Sequence, residues 1–358
     1  MTKDDLKNYV CTAPFRFLHV HEENQYFLCI PEWLIKRNPL NQPLSEIWNS
    51  EDSLESRRSV MDGTFRHCDE TQCPYLSYLL KFNEVDPKGP IYHKDNLPLN
   101  IKEKFLSQDP YMEVGPEKIE HNFDKSCNYK CPSCRRETYK ATQEKLIEVE
   151  NTMEEMKRLF SKDAKTLYFT ASGDPFVSNT FRTFLQNFNK EEYPKLRSFH
   201  LHTNASMWNE KMWNTMPNIH KYVKTCEISI DAATKETYEN KVRLNGNWDN
   251  LISNLKFIST IPSLEEVRTS FVVQQANYKE MRMFADLIRG IFGKKASVLF
   301  IKINNWGTFN CSQYEFVKIW DPIHPEYNEF LTEVEKIWIE PQVYHNLHDV
   351  IDIQKKII

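Results

Sequence analysis

Cys127, Cys131 and Cys134 lie in the run Lys125-Ser-Cys-Asn-Tyr-Lys-Cys-Pro-Ser-Cys-Arg135, a CxxxCxxC triplet on one short loop. Three thiolates so close together form a metal-cluster arrangement. Tetrahedral zinc or a fully ligated iron–sulfur cluster normally takes four protein ligands, so three leave one metal position open to a small molecule. An open position suggests chemistry. Four more cysteines, Cys11, Cys29, Cys68 and Cys73, fall in the first 80 residues, and four thiolates suit a closed site of either zinc or iron–sulfur. Cys226 opens an apolar run and reads as a buried core thiol.

The rest of the chain has to place these loops. With 358 residues, 40% of them apolar, it can bury a sizeable core, and its length fits one large domain plus a smaller one. A formal charge of −4 and a pI near 6.3 leave no basic surplus, so neither nucleic acid nor an anionic membrane is an expected partner. No window approaches the roughly 18 apolar residues of a bilayer span, and Met1 to Val10 is polar and charged. A cytoplasmic location is expected, with the nine cysteines kept as reduced thiols for ligation rather than as disulfides.

From Lys118 onward β-rich runs alternate with helical patterns. Lys118–Phe123, Thr166–Thr170, Ser198–His202, Cys226–Ile230, Val267–Val273 and Ser297–Ile303 read as strands, and Gln143–Phe160, Trp248–Ile261 and Tyr278–Ile291 as helices. Such alternation specifies βα units and a parallel sheet. The expected fold is α/β, a partial (β/α)6 TIM-like barrel, with a doubly wound sheet as the alternative that periodicity leaves open. Chemistry in a βα barrel gathers at the carboxyl ends of the strands, which is where the triplet and several later polar groups fall.

CxxxCxxC after a first barrel strand resembles the signature of the radical S-adenosylmethionine (radical SAM) enzymes, and further landmarks follow in order across residues 115 to 310. Ser172-Gly173-Asp174-Pro175 looks like the family's Gly-Gly-Glu-Pro motif, Thr203-Asn204-Ala205 is similar to its Thr-Asn-Gly, and Ser229-Ile230-Asp231 with Tyr238 and Arg243 resembles its stretch contacting ribose and carboxylate. Val272 to Asn277 and Asn304-Asn305-Trp306-Gly307 match the usual ends of strands five and six. Ser133 stands where the family usually has an aromatic residue, and Asp174 where it has Glu. The resemblance implies a 4Fe-4S cluster on Cys127, Cys131 and Cys134, with S-adenosyl-L-methionine chelating the fourth iron. It implies cofactor contacts at Ser172, Gly173, Asp174, Pro175, Asn204, Ser229, Arg243, Asn277 and Trp306. Arg135 and Arg136 suit either offsetting cluster charge or binding substrate, and Cys311, after the sixth strand, suits returning a hydrogen atom to substrate.

The amino-terminal cysteines, with Ser45-Glu-Ile-Trp-Asn-Ser50 and Arg57-Arg58 between them, resemble the SPASM or twitch modules that hold auxiliary clusters in this family, although those modules normally follow the barrel. A second 4Fe-4S auxiliary cluster on Cys11, Cys29, Cys68 and Cys73 is implied. The expected divisions are a module over 1–83, a proline-punctuated linker over 84–115, the barrel over 116–310 and a helical extension over 311–358.

The resulting expectation is an enzyme that reductively cleaves S-adenosylmethionine to a 5′-deoxyadenosyl radical and takes hydrogen from a peptide, in oxidation, crosslinking or epimerisation. A sugar, nucleoside or other small metabolite is the alternative substrate, and a non-catalytic metal-binding or redox-sensing protein the alternative class. The partners expected are the substrate and an external electron donor such as flavodoxin or ferredoxin.

Overall fold

The computed structural model describes residues 5–22, 24–170, 172–338, 340–347 and 350. Its strands are β1 (Tyr9–Cys11), β2 (Phe17–His21), β3 (Gln25–Phe27), β4 (Asn38–Pro39), β5 (Ile91–His93), β6 (Lys118–Asn122), β7 (Thr166–Phe169), β8 (Ser198–Thr203), β9 (Val223–Ser229), β10 (Glu266–Val273), β11 (Ala296–Lys302) and β12 (Val343–His345). Ten of them form a sheet in the order β12-β11-β10-β9-β8-β7-β6-β2-β3-β4, and β1 pairs separately with β5. From β6 to β11 each strand is followed by helix, the six-unit succession of a partial TIM-like barrel.

Local sequence explains the helices. Gln143–Phe160 buries Val149, Met153, Met156 and Phe160, a spacing that keeps one face apolar, and ends on Lys157 and Arg158 where the carbonyl end of the helix dipole favours cations. Met281–Phe292 buries Met281, Phe284, Ala285, Ile288 and Phe292 and stops at Gly293, whose φ of 56° suits a residue without Cβ. The stretch Leu44 to Met61 forms two helices, Leu44–Ile47 and Glu51–Met61. Ser50 separates them because its side chain accepts the Ser53 N–H and caps the second.

The chain divides into two compact units. One comprises residues 1–123, 147–168 and 189–197, and the other 124–146, 169–188 and 198–358.

In the first unit the module and the span 84–115 share one core. Prolines at 87, 90, 98 and 110 suggest a connector, yet this span supplies β5 and the helix Leu99–Ser107. Ile91, Leu97, Ile101 and Phe105 are buried in one cluster with Val10, Phe15, Val60, Leu76 and Leu79. Arg57 is fully buried against it. Its guanidinium donates to the carbonyls of Pro14 (3.0 Å), Trp48 (2.7 Å) and Pro110 (3.1 Å) and to Asn49 Oδ1 (2.9 Å), so one cation ties three chain segments together. β2 runs parallel to β6, with His19 opposite Glu120 and His21 opposite Asn122, and β3 then returns antiparallel. A strand of the amino-terminal region thus extends the sheet beside β6.

His121 on β6 is buried, with Nδ1 3.2 Å from the Tyr168 carbonyl oxygen, and burial lowers its pKa from 6.5 to about 4. Folding favours the neutral ring, so its contribution is whole above the unfolded pKa and is lost as pH falls from about 6.5 towards about 4. The full loss is at most about 3 kcal/mol, at ~1.4 kcal/mol per pKa unit. Denaturant unfolding at pH 7 and pH 4.5 checks this. The stability gap between wild type and His121→Gln should move by about 2 kcal/mol in the variant's favour at the lower pH; an unmoved gap contradicts it.

In the second unit β8 to β11 are parallel, with His202 opposite Glu227, Glu227 opposite Arg268 and Arg268 opposite Ser297. One face of these strands is apolar, with Phe199, Leu201, Cys226, Ile228, Val267, Phe271, Val298 and Phe300 all buried. The other face carries His202, Glu227, Ser229, Arg268 and Ser270. The region after 311 contains the helices Cys311–Val317 and Tyr327–Glu335 and also β12, which pairs parallel with β11.

Candidate metal and cofactor site

The cysteine loop begins at Asp124, a buried carboxylate whose Oδ1 accepts the Ser126 N–H (2.9 Å) and hydroxyl (2.7 Å) while Oδ2 accepts the Ser178 hydroxyl (2.6 Å). The loop is pinned further by two main-chain bonds between Cys127 and Tyr139 (2.8 and 3.1 Å), and Cys134 and Arg135 both turn back to the Cys131 carbonyl (2.9 Å each). The loop after β7 presses against it. A Cβ on Gly173 would lie 2.4 Å from the Asp124 carbonyl oxygen and 3.0 Å from that of Ser126, so only glycine allows this approach, which the Asp174 N–H to Ser126 carbonyl bond (2.9 Å) completes.

Each of the three thiols has a nitrogen donor of its own. Asn204 Nδ2 lies 3.7 Å from Cys127 Sγ, Arg243 Nη1 3.5 Å from Cys131 Sγ, and Arg135 Nε 3.5 Å from Cys134 Sγ. Burial pushes the Cys127 thiol up to about 11 and also raises Cys131, against the pull of Arg135 on the first and Arg243 on the second. Burial works against the charge of Arg243, but Asp231 and the Cys131 thiol outweigh it and leave the guanidinium more firmly protonated than usual. Its Nη2 stands 2.7 Å from Asp231 Oδ2, and the other Asp231 oxygen accepts the Val272 N–H at 2.7 Å. Burial raises the Asp231 carboxyl while Arg243 and Val272 pull it down; the short separation and the strengthened guanidinium favour the ionised pair. Arg243 Nε is buried and has no hydrogen-bond partner among the described residues.

The residues expected at the cofactor fall into two groups. Cys127, Cys131, Cys134, Asn204 and Arg243 converge, and Ser172 joins them through a bond from Arg135 Nη2 to its carbonyl. Ser229 lies on the polar face of β9, its Oγ 2.9 Å from His202 Nε2 and 3.2 Å from Ser270 Oγ. Pro175 is buried behind Asp174. Asp174 itself is fully buried, and its carboxylate accepts the Thr203 hydroxyl (2.7 Å) and the N–H groups of Asn204 (2.9 Å) and Phe176 (3.0 Å). Two of these donors, from Thr203 and Asn204, lie at the end of β8 and both reach Oδ2. Asn277 is also buried, donating to the carbonyls of Asp231 (2.8 Å) and Val272 (2.9 Å), and so joins the ends of β9 and β10. Trp306 is 63% exposed, and Cys311 is exposed at the first position of its helix, capped by Asn310. Arg136 ties that region to the cysteine loop by donating to the Thr308 carbonyl (3.1 and 3.3 Å).

Sequence reading missed the buried bracing groups Asp124 and Ser178. A signal existed for the first, since Asp-x-Ser is a common hydrogen-bonded turn.

The four amino-terminal cysteines are neighbours in the first unit. Burial raises all four thiols, Cys68 to about 12; Cys11 is raised further by Cys29, Cys68 and Cys73, and Cys29 by Cys73 and Cys68. Among the described residues no three His, Cys, Asp or Glu side chains are gathered tightly enough to hold a single metal ion.

No protein-family model matches this chain, and no curated protein does. Solved structures do resemble it. Its neighbours among them are radical SAM enzymes. A Streptococcus suis SuiB structure bound to S-adenosylmethionine covers 69% of this chain at 15% identity and a TM-score of 0.44, and one bound to its precursor peptide SuiA covers 84% at 14% and 0.44. The matches span 54% and 64% of those two chains. A radical SAM methyltransferase from Sphaerobacter thermophilus aligns over 63% of this chain and 64% of its own, at 14% identity and a TM-score of 0.34. No helix among the described residues is long and apolar enough to cross a membrane.

Proposed function

We propose that this chain is a radical SAM enzyme that uses Cys127, Cys131 and Cys134 to hold a 4Fe-4S cluster. The observation carrying this reading is the triplet with one N–H donor per thiol and a buried cation, Arg243, beside Cys131 with Nε to spare. That donor set fits a negatively charged cluster and a carboxylate-bearing cofactor. When bound, the cluster would supply one electron to S-adenosylmethionine, releasing methionine and leaving a 5′-deoxyadenosyl radical able to take hydrogen from substrate. The chain's own part is positional. Arg243 offers a cation for the cofactor's carboxylate, Ser229 a hydroxyl on the adjacent strand, and the Ser172–Asp174 loop its main chain.

Cys11, Cys29, Cys68 and Cys73 complete the proposal as an auxiliary 4Fe-4S site, and their number and mutual proximity support it. A peptide is the proposed substrate class, by analogy with SPASM-bearing enzymes. Cys311, exposed at the head of its helix, is the proposed hydrogen donor and would favour epimerisation. A low-potential one-electron carrier such as flavodoxin or ferredoxin is the proposed reductant. The test is anaerobic reconstitution with iron and sulfide, then dithionite and S-adenosylmethionine, with chromatographic detection of 5′-deoxyadenosine. Formation of that product is expected; none from protein with full iron content sinks the reading.

A further inference from the structure

Cluster thiolates are strong acceptors, and an N–H aimed at a thiolate sulfur stabilises the more negative, reduced form of the cluster. A positive charge on the donor strengthens this. The three donors here arise from three places: Arg135 in the cysteine loop, Asn204 at the end of β8, and Arg243 after the turn Tyr238–Val242. Each is held by a separate brace. Asp174 Oδ2 fixes the Asn204 main chain at 2.9 Å, Asp231 Oδ2 fixes Arg243 at 2.7 Å, and the carbonyls of Lys125 and Ser172 fix Arg135, the first at 2.6 Å. Random surface contacts would not place one donor on each sulfur and lock each from behind.

Arg135 is the least expected of the three. Cys134 is the exposed thiol of the triplet and Cys131 the buried one. Solvent around an exposed sulfur already stabilises charge, so a guanidinium spent there acts on the potential and also covers the sulfur. Because Arg135 also grips the loop after β7, it couples cluster electrostatics to the loop that faces the cofactor.

Resting on the cluster assignment above, we propose that Arg135, Asn204 and Arg243 set the reduction potential of the cluster on Cys127, Cys131 and Cys134 as its three N–H···S donors, with Arg135 as a positioning residue for Cys134. The step concerned is addition of one electron to the oxidised cluster from a low-potential one-electron donor. No covalent bond is made or broken in it.

Potentiometric titration followed by electron paramagnetic resonance, on full-length protein without S-adenosylmethionine, tests this independently of activity. The relevant signal is the one absent from the Cys127→Ala/Cys131→Ala/Cys134→Ala variant. Arg135→Met should keep its iron and shift the midpoint downward, so that at a fixed potential near the wild-type midpoint the ratio of reduced to oxidised cluster falls about tenfold, equivalent to about 59 mV for one electron. Arg135→Lys, which keeps the charge without the fork, should recover part of the shift. Asn204→Asp, which keeps the shape but turns a carboxylate towards Cys127, should shift the midpoint the same way. Full iron with unmoved midpoints overturns the donor assignment alone. Loss of iron from both Arg135→Met and Asn204→Asp overturns it in favour of a purely structural role. A wild-type chain that holds no iron overturns the cluster assignment and this inference together.

Discussion

Replacing Cys127, Cys131 and Cys134 together with alanine should remove about four of about eight irons per chain and abolish 5′-deoxyadenosine formation while leaving the amino-terminal iron in place. The expectation of separate losses rests on geometry within each unit. The triplet is braced by Asp124, Arg135, Asn204 and Arg243, all in the second unit, whereas Cys11, Cys29, Cys68 and Cys73 lie in the first and influence one another. Alanine removes one acceptor from each of the three donors, but Asn204 still reaches Asn128, Arg135 the Lys125 carbonyl and Arg243 the Asp231 carboxylate, so the fold should survive. Iron and sulfide assays beside zinc analysis read the outcome. About four irons with one zinc in the wild type would make the amino-terminal site zinc, and loss of all iron from the triple variant would mean that the two sites are not independent.

Much of this was legible in the chain itself. The six βα units could be read because their strands are short apolar runs and their helices keep a 3.6-residue period, a local property that survives in isolation. The joining of β2 to β6 and of β12 to β11 could not. Phe17-Leu-His-Val-His forms a strand, but a strand's partner is a tertiary choice that its own residues do not encode. The proline-rich span 84–115 misleads for a similar reason: prolines at 90 and 98 stand just before a strand and a helix and mark their starts. At the site, residue types were readable and side-chain directions were not. Asp174 keeps the carboxylate of the motif it resembles, yet Thr203 and Asn204 claim it, and Asn277 spends its amide on two carbonyls. Arg57 and Arg58 are adjacent and alike in sequence; one is buried at the centre of a core and the other pairs with Glu51 in solvent.

Asp231 shows what such hidden bracing is worth. It is 1% exposed, adopts a left-handed φ of 64°, and gives one oxygen to the Val272 N–H and the other to Arg243. That conformation is uncommon for residues with a side chain, and Asp and Asn tolerate it best. Removing the carboxylate leaves a buried guanidinium without its counter-charge, a loss of about 3–5 kcal/mol. Asp231→Asn keeps shape, left-handed tolerance and an acceptor for Val272, so it isolates the charge and should cost about 3 kcal/mol. Asp231→Ala also orphans the Val272 N–H and strains the backbone, and should fall about 1–2 kcal/mol lower still. Combining Asp231→Asn with Arg243→Met should be far less damaging than the sum of the two single changes, because no buried charge is then left unpaired. Denaturant unfolding of the single and double variants measures that coupling. Additive losses, or an Asp231→Asn protein within about 1 kcal/mol of wild type, would mean that the pair does not hold Arg243 in place. Coupling of several kcal/mol would mean that Arg243 is fixed beside Cys131 before any cofactor arrives, so that a carboxylate entering the site meets a cation already oriented to receive it.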